Sequence, residues 1–201
     1  AWKPKRPVAA APGKPIRGLS TLYAATVIAD EDAKDPLPSA AVLKAAEAVF
    51  PPVRRVTNWT AWRKAVKEFK PNLLVLLGHT MIEGGETNLY IGKNSALSRV
   101  DITGAVLRAA DSPPPLVLLI ACATAALGDA FGTLPGTLTA NGAGAVVGTL
   151  SKITGPQGAE ATEELLRAFH AAASKHESVS RALTEARRTL LAEKRPIGLM
   201  L

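Results

Sequence analysis

A single cysteine, Cys122, stands in the 201-residue chain, and a lone thiol excludes an internal disulfide. That scarcity fits a reducing cytosol better than an extracellular setting. Long apolar runs are missing too. Nothing approaches the ~18 uninterrupted apolar residues of a membrane helix, and no charged, apolar, small-residue series opens the chain as a secretion leader would. The chain therefore reads as soluble and cytoplasmic. Histidine is scarce: beside His79 there are only His170 and His176, six apart and so not on one helical face. One Cys with these residues is too little for a metal, so no metal or cofactor site is expected and His170 and His176 read as surface residues.

Acids are absent from residues 1–20, which carry Lys3, Lys5, Arg6, Lys14 and Arg17. These five cations supply most of the net charge of +7, and the rest of the chain is close to balanced. A basic segment rich in Pro and Ala suits a solvated linker better than a phosphate-binding arm, so direct nucleic-acid binding by this domain is not expected. The chain has no initiator Met and reads as a fragment of a longer protein. Residues 1–18 form a linker or tail and 19–201 one domain, long enough to bury a core without staples.

What is present is an alternation of apolar runs and amphipathic stretches. "LSTLYAATVIA" (19–29) reads as a buried strand that stops at an acidic, Pro-containing loop. Ser39 is placed to cap a helix over 39–50, which ends at Pro51 and Pro52. "VRRVT" is a short strand, and 58–70 a helix whose Trp59, Trp62, Val66 and Phe69 form an apolar stripe, which makes both tryptophans core residues. "NLLVLLGHT" (72–80) predicts a central parallel strand, "NLYIG" a small hairpin arm, and 100–111 a helix. "LVLLIACA" repeats the pattern of an apolar run ending in a chemical residue. A helix near 128–141, a strand at 144–150, helices near 157–174 and 177–193 and a closing strand "PIGLML" complete the series. Such alternation predicts an α/β domain with a mostly parallel sheet covered by helices on both faces. No Gly-rich phosphate loop follows the first strand, which leaves a flavodoxin-like binding domain without support.

In open α/β sheets, chemistry gathers outside the carboxyl ends of the strands. His79 and Cys122 each follow such an end, 43 residues apart. A right-handed strand–helix–strand crossover would set them side by side. A thiolate that attacks a carbonyl, with an imidazole to protonate the departing amine, needs these two residue types. The alternative for Cys122 alone is packing, since Cys is among the most buried residue types.

"LLVLLGHT", then "PLVLLIACATA", then "LTANGAGAVVGTL" and "SVSRALTEARRTLL" together resemble the CHAT protease domain, a caspase- and separase-like cysteine peptidase of the caspase–haemoglobinase fold. The resemblance runs from about residue 19 to 201. It implies a dyad with Cys122 as nucleophile and His79 as general acid/base, and an oxyanion held by the backbone N–H groups of Cys122 and Thr80. The chain departs from the pattern at Thr80, where the family usually has Gly, and at Ser151, where relatives commonly carry Trp. By the same resemblance, the residue before the cut is selected partly by the loop after the first strand, here Asp30, Glu31 and Asp32. Asp129 is a lesser candidate, with helix capping as its alternative. An acidic pocket would prefer Arg or Lys.

Domains that resemble this one are often fused to sensors in bacterial defence and cell-death pathways, including CRISPR-linked ones. Two functions follow as expectations. The first is a cysteine endopeptidase that cuts a partner protein under the control of a fused or associated sensor domain. The second is a catalytically inactive caspase-like scaffold that binds a partner.

Overall fold

The apolar run at 72–80 does not form one strand: it divides at Gly78, and the two pieces enter different sheets. The computed structural model describes residues 19–31, 37–121 and 133–199. In chain order the strands are β1 Thr21–Ala25, β2 Val53–Val56, β3 Leu73–Leu77, β4 His79–Glu83, β5 Glu86–Ile91, β6 Ser95–Ser98, β7 Leu116–Ile120 and β8 Ala145–Gly148. The helices are α1 Pro38–Val49, α2 Trp59–Phe69, α3 Gly104–Leu107, α4 Leu134–Ala140, α5 Gly155–Ser174 and α6 Val179–Ala192. The linker assigned to 1–18 lies outside the described residues, as do residues 128–132 of the helix expected near 128–141.

Five strands form a parallel sheet in the order β2-β1-β3-β7-β8. Every side chain of β3 and β7 is buried, because both faces of the sheet are covered, and a strand buried on both faces needs continuous apolar residues. Tyr23, Val75, Leu118 and Ile120 pack against α1, α5 and α6 on one face. Leu22, Leu74, Leu76 and Leu119 pack on the other against α2, α3 and α4. Trp59 and Trp62 sit edge-on in that second layer, 5.6 Å apart, and each indole N–H has a buried carbonyl to donate to. The predicted α/β class with helices on both faces is the architecture seen.

β4, β5 and β6 form the arm that "NLYIG" predicted, as a separate three-stranded antiparallel sheet. Its base is stitched to the parallel sheet at Gly92: the Gly92 N–H donates to the Ala25 carbonyl (2.7 Å), and the Val27 N–H donates to the Gly92 carbonyl (3.0 Å). The connection from β3 to β7 therefore runs through this arm and the short α3, where a simple helical crossover was expected.

Three local expectations are corrected. The helix predicted over 100–111 shrinks to a 3-10 turn at Arg99–Asp101 and the four residues of α3. The Trp62 indole takes the Val106 carbonyl at 2.7 Å, an acceptor that a longer helix would give to residue 110. The closing strand "PIGLML" is a 3-10 turn over Pro196–Leu199. Ile197 is buried against α5 and α6, and a Cβ on Gly198 would lie 3.1 Å from the Arg187 carbonyl of α6, so this segment docks on a helix. Met200 and Leu201 lie outside the described residues. Ser39 does not cap α1 either: the capping position is Leu37, without a side-chain bond. Both the N–H and the Oγ of Ser39 donate to Asp30, at 2.8 and 2.5 Å, so the carboxylate that serves this helix terminus comes from beyond the helix.

Candidate active site

The site is built where β1, β3 and β7 end. β3 and β7 run parallel in a register that pairs Leu77 with Ile120, and the ladder continues one step further through the Gly78 N–H to the Ile120 carbonyl at 3.0 Å. Gly78 keeps this turn close: a Cβ there would come within 2.7 Å of Leu89 Cδ1 and 3.3 Å of the Tyr90 carbonyl, with the Ala121 Cβ at 3.8 Å. The chain then leaves the parallel sheet and His79 opens β4, opposite Tyr90.

His79 is half-exposed and borders a small cavity of about 40 Å³. Ile28 and Ala29 from the segment after β1, Ala121 from the end of β7, and Ile153 and Gly155 at the entry to α5 are among the residues that line it. On the far side of β7, Thr149 Oγ1 donates to the Ala121 carbonyl. Thr149 escaped the reading of the sequence. A fully buried threonine at an apolar strand end needs an internal partner, and here that partner is the last described residue before Cys122. Cys122 itself, Asp32 and Asp129 lie outside the described residues.

Thr80 is the second residue of β4 and faces Leu89 across the antiparallel pair, so its backbone belongs to a strand. Further along the arm, Tyr90 and Asn88 both donate to Glu83 Oε2, at 2.7 and 3.1 Å. That bond to Glu83 holds the Tyr90 phenol above its ordinary range. Asp30 closes the 3-10 turn Val27–Asp30 beside the cavity, with its two carboxylate oxygens engaged by Ser39, and Glu31 next to it is exposed. Ser151 is half-buried beyond β8, and its Oγ lies 3.4 Å from the Lys152 carbonyl.

His170 and His176 are exposed, as expected; His170 stands edge-on to Phe50 at 5.7 Å. Among the described residues no three His, Cys, Asp or Glu side chains gather as metal ligands. No helix among them is long and apolar enough to cross a membrane.

A parallel sheet covered by helices on both faces, with an antiparallel arm at its carboxyl edge, defines the class: an α/β domain. The CHAT domain profile matches residues 26–197. The chain belongs to the CHAT domain family, a family of caspase-like peptidases. No curated protein matches the chain.

Proposed function

We propose that the chain is a cysteine endopeptidase in which Cys122 is the nucleophile and His79 the general acid/base. The observation that carries the reading is the β3–β7 register, because it brings the residue before His79 alongside the residue before Cys122. The Cys122 thiolate forms a C–S bond to the substrate carbonyl, and the negative charge moves to the carbonyl oxygen, held by the N–H groups of Cys122 and Thr80. His79 gives its proton to the amide nitrogen as the C–N bond breaks. It then takes a proton from the water that attacks the thioester, the C–S bond breaks, and the thiolate and the protonated imidazole are restored.

Asp30, at the end of the 3-10 turn beside the cavity, together with Asp32 and Asp129, which the sequence alone nominates, favours Arg or Lys before the cut. Ile28 and Ala29 in the cavity wall support a role for the loop after β1. With its oxygens engaged by Ser39, Asp30 acts there through its field more than by contact. The Pro- and Ala-rich basic segment 1–18 suits a linker to a sensor that gates cleavage of a partner protein in a cytoplasmic bacterial defence pathway, CRISPR-linked systems included. An inactive scaffold is the competing reading, and placement of Thr80 within β4 favours it, since a strand residue has less freedom to aim its amide.

An arginyl electrophile separates the two. The peptidase reading expects labelling of wild-type protein, none of Cys122→Ala, and labelling slowed about a hundredfold or more in His79→Ala. Folded protein that is labelled under no activating condition would establish the scaffold.

A further inference from the structure

Five of the net seven charges fall within residues 1–20, yet four cations of the remainder converge on one groove. α2 presents Arg63 and Lys67 along one side, and Lys70 follows at its C-terminal cap. Arg108, just beyond α3, faces them across a hollow of about 590 Å³. The sole acid of the lining, Asp111, is bound by Lys70 at 2.5 Å. Glu68, the nearest acid on α2, is turned to Arg54 and Lys64. Among the described residues, Arg63 and Lys67 therefore have no ion-pair partner. Arg108 is anchored, because its Nη1 donates to the Ser112 carbonyl at 2.8 Å.

The floor between these cations is made of Val66, Ala105, Ala109 and Ala110, small apolar residues with no aromatic ring among them. Single-stranded nucleic acid is normally held by aromatic stacking as well as by cations, and the nearby rings are not open to it: Phe69 lies under Arg54 at 5.8 Å, and Trp62 is fully buried with its indole on the Val106 carbonyl. Carboxylates for the rim and small aliphatic side chains for the floor match the groove in both respects. The groove lies at the amino end of β3, where Lys70 leads into the strand. His79 follows the carboxyl end, about 17 Å further on for five residues of strand. A ligand in the groove leaves the cavity open.

We infer that the groove between α2 and α3 is a docking site for an acidic, amphipathic protein segment, separate from the cavity at His79. Its occupant carries Asp or Glu side chains that meet Arg63, Lys67 and Arg108, with aliphatic side chains between them against Val66 and Ala109.

The probe is a fluorescein-labelled 14-residue peptide of alternating Glu pairs and Leu, titrated with the full chain and followed by fluorescence anisotropy. Three variants with circular dichroism like wild type accompany it: Arg63→Glu/Lys67→Glu, the equal charge change Arg181→Glu/Arg188→Glu on α6, and Cys122→Ala. The expected result is binding that weakens about tenfold or more in the α2 variant and stays within about twofold in the other two. A peptide with Leu replaced by Ser is expected to bind about tenfold more weakly than the Leu peptide. Equal loss in the α6 variant would overturn the site, as would tighter binding of a 14-mer oligothymidylate at the same salt, or no binding of the peptide to wild type in low salt. Because Cys122→Ala retains the groove, failure of the peptidase reading leaves this outcome unaffected.

Discussion

The Gly78 amide donates to the Ile120 carbonyl at 3.0 Å, one step past the last strand pair of β3 and β7, Leu77 with Ile120. This bond carries the parallel ladder up to the point where the chain turns into β4, so the position of His79 depends on how tightly Gly78 sits against Leu89 and Ala121. A side chain at Gly78 meets Leu89 Cδ1 at 2.7 Å, which can swing away, and the Tyr90 carbonyl at 3.3 Å, which is backbone and cannot.

Gly78→Val is accordingly expected to cost about 1–3 kcal/mol in denaturant unfolding, with a larger effect on the cavity than on the fold. The rate of labelling by an arginyl electrophile should fall by more than the unfolded fraction explains. A destabilised variant that is labelled at the wild-type rate would show that the turn does not set the position of His79.

Asp30 offers a second test because one carboxylate has two possible duties. It accepts from the N–H and the Oγ of Ser39 in the first turn of α1, a charge-assisted pair of bonds at a helix terminus. Asp30→Ala should therefore lower stability by about 1–2 kcal/mol. The preference for an arginyl over a norleucyl probe should drop by less than about threefold, the scale of a partly solvated charge. A preference that vanishes while stability holds would place the carboxylate in direct contact with substrate.

How far the sequence announced this arrangement depends on the range of the interactions involved. β3 and β7 were legible as continuous apolar runs, since burial on both faces leaves no alternation, and the stripe of Trp59 and Trp62 was legible from its helical spacing. Every misreading traces to a contact made from outside the misread element. The Val106 carbonyl is taken by Trp62, 44 residues away; the Ser39 amide is taken by Asp30; and Pro196–Leu199 is held by α6. The split at Gly78 belongs to the same group, because the residues after it leave the parallel sheet to pair with β5, and Gly78 leaves the room that Leu89 of that strand fills. His79 was identified from its place at a strand end, whereas Thr149, which holds the Ala121 carbonyl, carried no local signal beyond being polar in an apolar run.

Tyr23 links stability to alkaline pH. Its hydroxyl donates to the Ser39 carbonyl at 2.8 Å. Burial pushes the phenol well above its ordinary value, the field of Asp30 adds to that, and Arg55 opposes it. A raised phenol pKa means that the unfolded chain loses this proton first, so the contribution is complete below about pH 10 and is lost as pH rises beyond it. Tyr23→Phe should cost about 1–2 kcal/mol at neutral pH, because it leaves a buried carbonyl unpaired, and should flatten the fall in stability above about pH 10. Unfolding curves at stepped pH check both parts. Tyr90→Phe on the exposed face of the arm is the control, with a far smaller effect at neutral pH.

The attachment of the arm rests on Gly92, and two glycines of the same arm allow strain and collision to be told apart. Gly84 and Gly92 have nearly the same left-handed backbone, φ +59° and +58°. A Cβ on Gly84 meets nothing within 4 Å, whereas one on Gly92 would lie 1.9 Å from the Thr57 carbonyl. Gly84→Ala should then cost only the conformational penalty, about 1–2 kcal/mol. Gly92→Ala adds a backbone collision at the residue that bonds both Ala25 and Val27, and should exceed about 3 kcal/mol. The difference should also be regional. In Gly92→Ala, amide protons of β4 to β6 should lose exchange protection before those of β3 and β7, because the stitch to β1 fails while the parallel sheet keeps its own ladder. Equal costs for the two substitutions would mean that the segment at Thr57 yields freely, and that the arm is held by its bonds to Trp59 and its packing in the apolar layer.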